Sequence, residues 1–163
     1  MGKMICITFC FTLFLSCGLN SSKSKKCNDF ESGKNKSESF YRPENLTVRS
    51  FIQLMTDNFI DNRKLNFVTF IGEFPQNWVK SEDITYLHSI MSSKKKCCGY
   101  MKVYSSYIST EYGEVGGFAI LFLNSYINET TINLGLNCNP KSDKKSVEKI
   151  EDWYQTKYKN NRK

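Results

Sequence analysis

The chain has 163 residues, is 40% hydrophobic and 14% aromatic, and carries a formal net charge of +7. That length and apolar content predict one globular unit with a real core, and exclude a chain that is disordered throughout. With only three prolines and nine glycines, a loop-rich scaffold is excluded as well.

Residues 1–16, MGKMICITFCFTLFLS, carry one charge, Lys3, and then an apolar run from Met4 to Leu15. The run falls short of the roughly 20 residues that a bilayer-spanning helix needs, and has the length of the apolar region of an export signal. A myristoylation signal is excluded, because Cys6 stands where Ser or Thr is required after Gly2.

After this run, Leu13-Phe14-Leu15-Ser16-Cys17-Gly18 puts a small residue directly before a cysteine and a glycine after it. The segment resembles the lipobox of bacterial lipoproteins, departing from it at Phe14, where a smaller aliphatic is usual. The resemblance implies that Cys17 receives a diacylglyceryl group and becomes the first residue of a mature protein anchored in a membrane of the bacterial envelope. It covers about the first twenty residues and implies nothing about the fold. An ordinary cleavable signal, giving a secreted and unlipidated disulfide-containing protein, is the alternative. In a eukaryotic secreted protein the Asn-x-Ser/Thr sites at Asn20, Asn35, Asn45 and Asn128 would gain meaning.

Residues 17–44 read as anchor and tether, because Ser, Lys, Asn and Gly dominate without a sustained apolar period. Lys23, Lys25 and Lys26 are placed to lie against anionic headgroups. The globular part is expected over residues 45–163.

Within it, Leu46, Phe51, Leu54, Met55, Phe59 and Ile60 recur at helical spacing and predict a helix from Thr47 to Asn62. Leu65 to Ile71 is short enough to be helix or strand, closed by Gly72 and Pro75. Ser81-Glu82-Asp83 supplies a serine cap and two acids to a helix whose Ile84, Leu87, Ile90 and Met91 share a face. Tyr100 to Thr110 is ambiguous. Gly116 to Ile127 is an apolar block long enough to be a buried helix, and its paired glycines permit a turn and a close entry. Ile132, Leu134 and Leu136 alternate in a strand-like period. Ser146 opens a last helix with Val147, Ile150, Trp153, Tyr154 and Tyr158 on one stripe and Lys157, Lys159, Arg162 and Lys163 at its end. The pattern predicts a mainly α domain of four to five helices, with HEAT-like packing as one form. An α+β domain pairing Lys102 to Ile108 with Thr131 to Asn137 is the alternative.

Cys6 and Cys10 leave with the signal, so Cys27, Cys97, Cys98 and Cys138 remain besides Cys17. In an exported chain Cys97 or Cys98 is a candidate for a disulfide to Cys138, with Cys27 as another partner. No metal site or cofactor is expected, because there is no Cys-x-x-Cys pair and His88 is the single histidine. Catalytic residues are not assigned either. A triad would have to recruit His88, and Gly113 to Gly117 lacks the ending of a phosphate loop.

The excess charge gathers at Lys94, Lys95 and Lys96 and at Lys157 and Lys159, which suggests a basic face toward an acidic partner. Export argues against nucleic acid, so the expected contacts are the membrane and a protein. Two classes follow: a lipid-anchored, non-catalytic binding module of immunity or scaffold type, and a small envelope hydrolase. A pocket in which His88 meets Ser, Cys or a carboxylate favours the hydrolase. His88 on an open surface with a broad basic or apolar patch favours the binding module.

Overall fold

The computed structural model describes residues 40–160. The signal segment, Cys17, Cys27, the tether as far as Ser39, Arg162 and Lys163 lie outside the described residues.

Among the described residues, four helices and five short strands alternate along the chain: α1 (Val48–Asp57), β1 (Phe67–Phe70), α2 (Ile84–Ile90), β2 (Lys96–Cys97), β3 (Gly99–Lys102), β4 (Gly113–Glu114), α3 (Val115–Ile127), β5 (Asn137–Cys138) and α4 (Lys144–Trp153). β3 is the middle strand of three. It runs parallel to β1, pairing Phe67 with Gly99 and Phe70 with Lys102, and antiparallel to β5, pairing Tyr100 with Cys138. β2 and β4 form a separate antiparallel pair. Tyr41 and Phe70 form a further parallel bridge, in which the Tyr41 N–H donates to the Thr69 carbonyl at 3.1 Å. Tyr41 to Glu44, the end of the expected tether, thereby belongs to the folded unit.

α1 begins where Thr47 Oγ1 accepts the Ser50 N–H at 3.2 Å while Ser50 Oγ accepts the Thr47 N–H at 2.8 Å, a reciprocal cap with serine in the place usual for glutamate. Its buried Val48, Phe51, Ile52 and Met55 follow the three-four helical period. The helix stops at Asp57, short of the expected Asn62, because the next turn is claimed by Asn66. That buried amide accepts the Ile60 N–H and donates to the Ile60 and Arg63 carbonyls, each at 3.0 Å. Three such bonds hold 60–63 as a loop, with Asn62 at a φ of 64°.

α3 is the central helix, buried on most of its circumference from Val115 to Leu123, as its apolar run over those residues predicts. Gly116 and Gly117 open it. A Cβ at Gly116 would lie 2.5 Å from the Met91 carbonyl oxygen, and one at Gly117 would lie 2.4 Å from Pro140 C, so the first turn passes where no side chain fits. At its other end the Thr130 N–H donates to the Ser125 carbonyl at 3.0 Å and the Glu129 N–H to the Tyr126 carbonyl at 3.3 Å. This is a Schellman closure, in which Glu129 occupies the left-handed position (φ 51°) that glycine takes at least cost.

The fold is therefore α+β, and the expectation of a mainly α domain with HEAT-like helix packing is overturned by the β1–β3–β5 sheet. The strands are two to four residues long, too short for a two-residue period to register, and their pairing joins distant parts of the chain. The α+β alternative has the right neighbours in part: the segment after Gly99 does pair with the segment ending near Asn137, but through Tyr100–Cys138 and Met101–Asn137. None of Thr131 to Leu136 is strand, although Ile132 and Leu134 are buried as the alternation implied.

Phe51 sits at the centre of the core and has no space to be replaced. Phe51→Ala is expected to cost about 3–5 kcal/mol in urea unfolding, the range for a large aromatic removed from a packed core. Glu129→Gly is expected to do the reverse, adding about 1 kcal/mol by relieving a left-handed non-glycine residue; calorimetry should show a Tm raised by about 4 °C.

Candidate functional site

Between β3 and β4 the chain runs through Val103-Tyr-Ser-Ser-Tyr-Ile-Ser-Thr110, without a charge, glycine or proline. Serines close this loop on itself. Ser105 Oγ donates to the Tyr107 carbonyl at 2.8 Å, and Ser109 Oγ accepts the Glu111 N–H at 3.1 Å. β5 then pins it on both sides: Asn137 Nδ2 donates to Ser105 Oγ at 2.5 Å and Asn139 Nδ2 to Ser109 Oγ at 2.9 Å. Between the two pins, Tyr107 is 67% and Ile108 50% exposed, with Tyr104 at 76% before them. Leu136, 53% exposed, directly precedes β5, and its carbonyl accepts the Lys102 N–H at 2.8 Å. Three large side chains are thus held in water by a loop that hydrogen bonds fix at Ser105 and Ser109, with Leu136 exposed beside β5.

The residues singled out in the sequence are distributed differently. Lys94 Nζ donates to the Ser142 carbonyl and lies 3.5 Å from Glu114 Oε2; Lys96 lies 3.4 Å from Asp61 Oδ1. The rings and cations also meet here, with Lys141 Nζ 3.3 Å and Lys96 Nζ 5.0 Å from the Tyr112 centroid. Lys157 and Lys159 lie beyond α4, in a wider π turn over Tyr154–Tyr158, and Lys159 Nζ donates to Gln155 Oε1 at 3.0 Å. Lys94 reaches the start of α4 and Lys159 its end, and a helix of ten residues is about 15 Å long. The lysines form two groups with local partners.

Cys97, Cys98 and Cys138 are free thiols, and the register sets Cys138 opposite Tyr100 rather than opposite Cys97 or Cys98. Burial pushes the Cys97 thiol up to about 12, with the neighbouring Cys98 adding to the rise, and burial pushes Cys98 and Cys138 up to about 11. Such thiols are small apolar side chains rather than nucleophiles.

His88 meets a carboxylate. Its Nε2 lies 2.6 Å from Glu151 Oε2, and its ring stacks on Tyr154 with centroids 3.7 Å apart. Hydrogen bonds from Gln155 and from His88 hold the Glu151 carboxyl below its ordinary range. The pair faces an open groove shared with Ser89 and Ser92, but the Ser89 hydroxyl is turned to the Tyr86 carbonyl at 2.7 Å. Among the described residues no group of three or more His, Cys, Asp or Glu side chains is placed to hold a metal ion, and no helix is long and apolar enough to cross a membrane.

The pinned tyrosine face was missed in the sequence. Its signal is an interleaving of Tyr and Ile with Ser and Thr that fits neither helical nor strand burial. No family model, curated protein or solved structure matches this chain.

The thiols carry a pH dependence of definite sign. Each holds its proton in the folded state to about pH 11–12, whereas the unfolded chain loses it near pH 8.5. Stability is therefore full below about pH 8.5 and falls as pH rises toward the folded values. The urea midpoint is expected to drop between about pH 8 and pH 9.5, and native thiols should alkylate at pH 8 about a hundredfold more slowly than unfolded ones.

Proposed function

We propose that the chain is an exported, lipid-anchored protein of the bacterial envelope that acts as a non-catalytic binding module, meeting a protein partner through the Tyr104–Tyr107–Ile108–Leu136 face. The observation that carries the binding role is the exposure of Tyr104, Tyr107 and Ile108 on the loop that Asn137 and Asn139 pin at Ser105 and Ser109, with Leu136 exposed beside β5. Tyrosines contribute large contact area at low entropic cost, and a pre-fixed backbone leaves less freedom to lose on binding. The absence of charge from Val103 to Thr110 and from Asn133 to Asn137 favours a neutral protein surface over anionic headgroups, which would call for lysine at the contact. Both an occluding, immunity-type role and a scaffold role are served by such a face. The anchor rests on the lipobox-like Leu13 to Gly18 and the polar composition after it.

The His88–Glu151 pair at 2.6 Å favours a second reading, a small envelope hydrolase. Against it, the imidazole is stacked on Tyr154 and Glu151 is shared with Gln155, a set of contacts that fixes α2 to α4.

Two measurements test the proposal. Mass spectrometry of the mature protein from its native membrane is expected to give an N-terminal Cys17 carrying a diacylglyceryl adduct; an unlipidated N-terminus near residue 18 would overturn the anchor. A photo-crosslinking residue at position 107 should trap one protein in the native envelope, and Tyr104→Ser should weaken binding of the purified pair about tenfold. Adducts to lipid alone, or hydrolytic activity that His88→Gln abolishes, would overturn the binding module.

A further inference from the structure

A second concavity lies on other elements. The loop Pro75–Ser81 forms one wall, the end of α3 with Glu129 and Thr130 the other, and Trp153 the floor between them, enclosing about 670 Å³. That volume falls within the roughly 300–1,000 Å³ of small-molecule clefts.

Both walls are fixed. The Trp78 indole N–H donates to the Pro43 and Leu46 carbonyls at 3.0 and 2.8 Å, which ties the first wall to the entry of α1. The Tyr158 hydroxyl donates to the Ser81 carbonyl at 2.7 Å, which ties the same wall to the segment after Trp153. Of the three described non-glycine residues with positive φ, two line this cleft: Asn77 at 54° and Glu129 at 51°. Backbone cost is therefore kept on both rims, and such cost is concentrated where a surface is shaped for a ligand.

The lining defines the ligand. Its charges are a single lysine, Lys80, and a single carboxylate, Glu129, so a phosphate finds no cation excess. The exposed lining is mainly polar, so an acyl chain finds no apolar sleeve. The Gln76 and Asn77 amides both donate and accept, and on the opposite rim the Ser125 hydroxyl, which donates to the Thr130 carbonyl at 2.5 Å, keeps its accepting side; such a mixed set is what a polyhydroxylated molecule requires, since each of its hydroxyls does both. Trp153, partly exposed, lies against Tyr158 at 5.6 Å and meets Tyr126 at 6.2 Å, so an indole braced by two tyrosines supplies the apolar contact that the C–H side of a sugar ring requires. From this combination of a neutral amide and hydroxyl rim over an indole floor, we infer that the cleft binds a saccharide, an oligomer of hexose or N-acetylhexosamine units, independently of the tyrosine face.

Trp78 and Trp153 are the only two tryptophans and both line the cleft, so intrinsic fluorescence reports on it. Titration with chitotriose, maltotriose, cellotriose and solubilised wall glycan should give saturable quenching with at least one of them. Trp153→Ala, followed by calorimetry because its fluorescence is lost, should weaken that binding about tenfold, and the exposed Gln76→Ala about threefold. Gln76→Ala removes no core contact, so its effect stands even where Trp153→Ala disturbs the fold. Tyr107→Ala should leave the sugar affinity unchanged. Failure of every saccharide to bind at about 10 mM, or binding that both cleft substitutions leave intact, would overturn the inference.

Discussion

The Phe51 ring is the point from which the rest of the fold is fixed. It stacks on Phe70 of β1 at 5.3 Å and meets Phe118 and Phe122 of α3 edge-on at 5.4 and 5.3 Å, with Phe74 and Trp78 of the following loop at 5.8 and 6.0 Å. One side chain therefore joins the first helix, an outer strand of the main sheet, the central helix and the wall of the cleft. Offset and edge-on aromatic pairs add directional preference to the burial itself. The alternation of ring orientations around Phe51 leaves little freedom for β1 to slide against α3. Through β1, the same contact places β3, and through β3 it places β5 and the loop that β5 pins.

A second constraint acts where backbone meets backbone. Gly116 donates its N–H to the Ser93 carbonyl at 3.0 Å, Val115 to Lys95 at 3.0 Å and Glu114 to Pro140 at 2.8 Å. Ser142 completes this crossing: its buried hydroxyl donates to the Met91 carbonyl at 2.8 Å, and its N–H donates to the Glu114 carboxylate at 3.0 Å. Three stretches of chain are thus held at separations that exclude even a methyl group on Gly116 or Gly117. The end of α2, the start of α3 and the approach to α4 then have one arrangement. It is this rigidity that lets α4 present His88's partner Glu151 on one side and Trp153 on another.

What could be read in the sequence was what local periodicity encodes. α1, α3 and α4 announce themselves by apolar spacing or by an unbroken apolar run, and the close entry at Gly116-Gly117 follows from two adjacent residues without side chains. The starts are less legible. Asp143, not Ser146, caps α4, accepting the Ser146 N–H at 2.8 Å, and Lys80 precedes the short 3₁₀ turn where Ser81 was expected to cap. The sheet was hidden because β1, β3 and β5 are defined by partners about 30 to 40 residues away, and no short window of sequence contains both members. The lysines illustrate a different loss. Their clustering in sequence is real, but pairing with Glu114, Asp61 and Gln155 is a matter of tertiary placement.

The same placement separates groups used by the fold from groups left to the surface. Cys97 and Cys98 are buried and Cys138 half-buried, and burial raises all three thiols. His88 and Glu151 hold each other, and the π turn after α4 lets Tyr154 stack on His88 while Tyr158, 5.2 Å from Tyr154, reaches back to Ser81. An ordinary helical turn closes i to i−4; here the Lys159 N–H donates to the Tyr154 carbonyl at 3.0 Å, one residue further back. That widening allows one short segment to brace α2 and the cleft wall together. The reactive-looking residues are consumed in bracing, whereas Tyr104, Tyr107, Ile108 and Leu136, which no core contact requires, are held outward by hydrogen bonds from beneath. A side chain kept in water by a fixed backbone gains little for folding and has little freedom left to lose on contact.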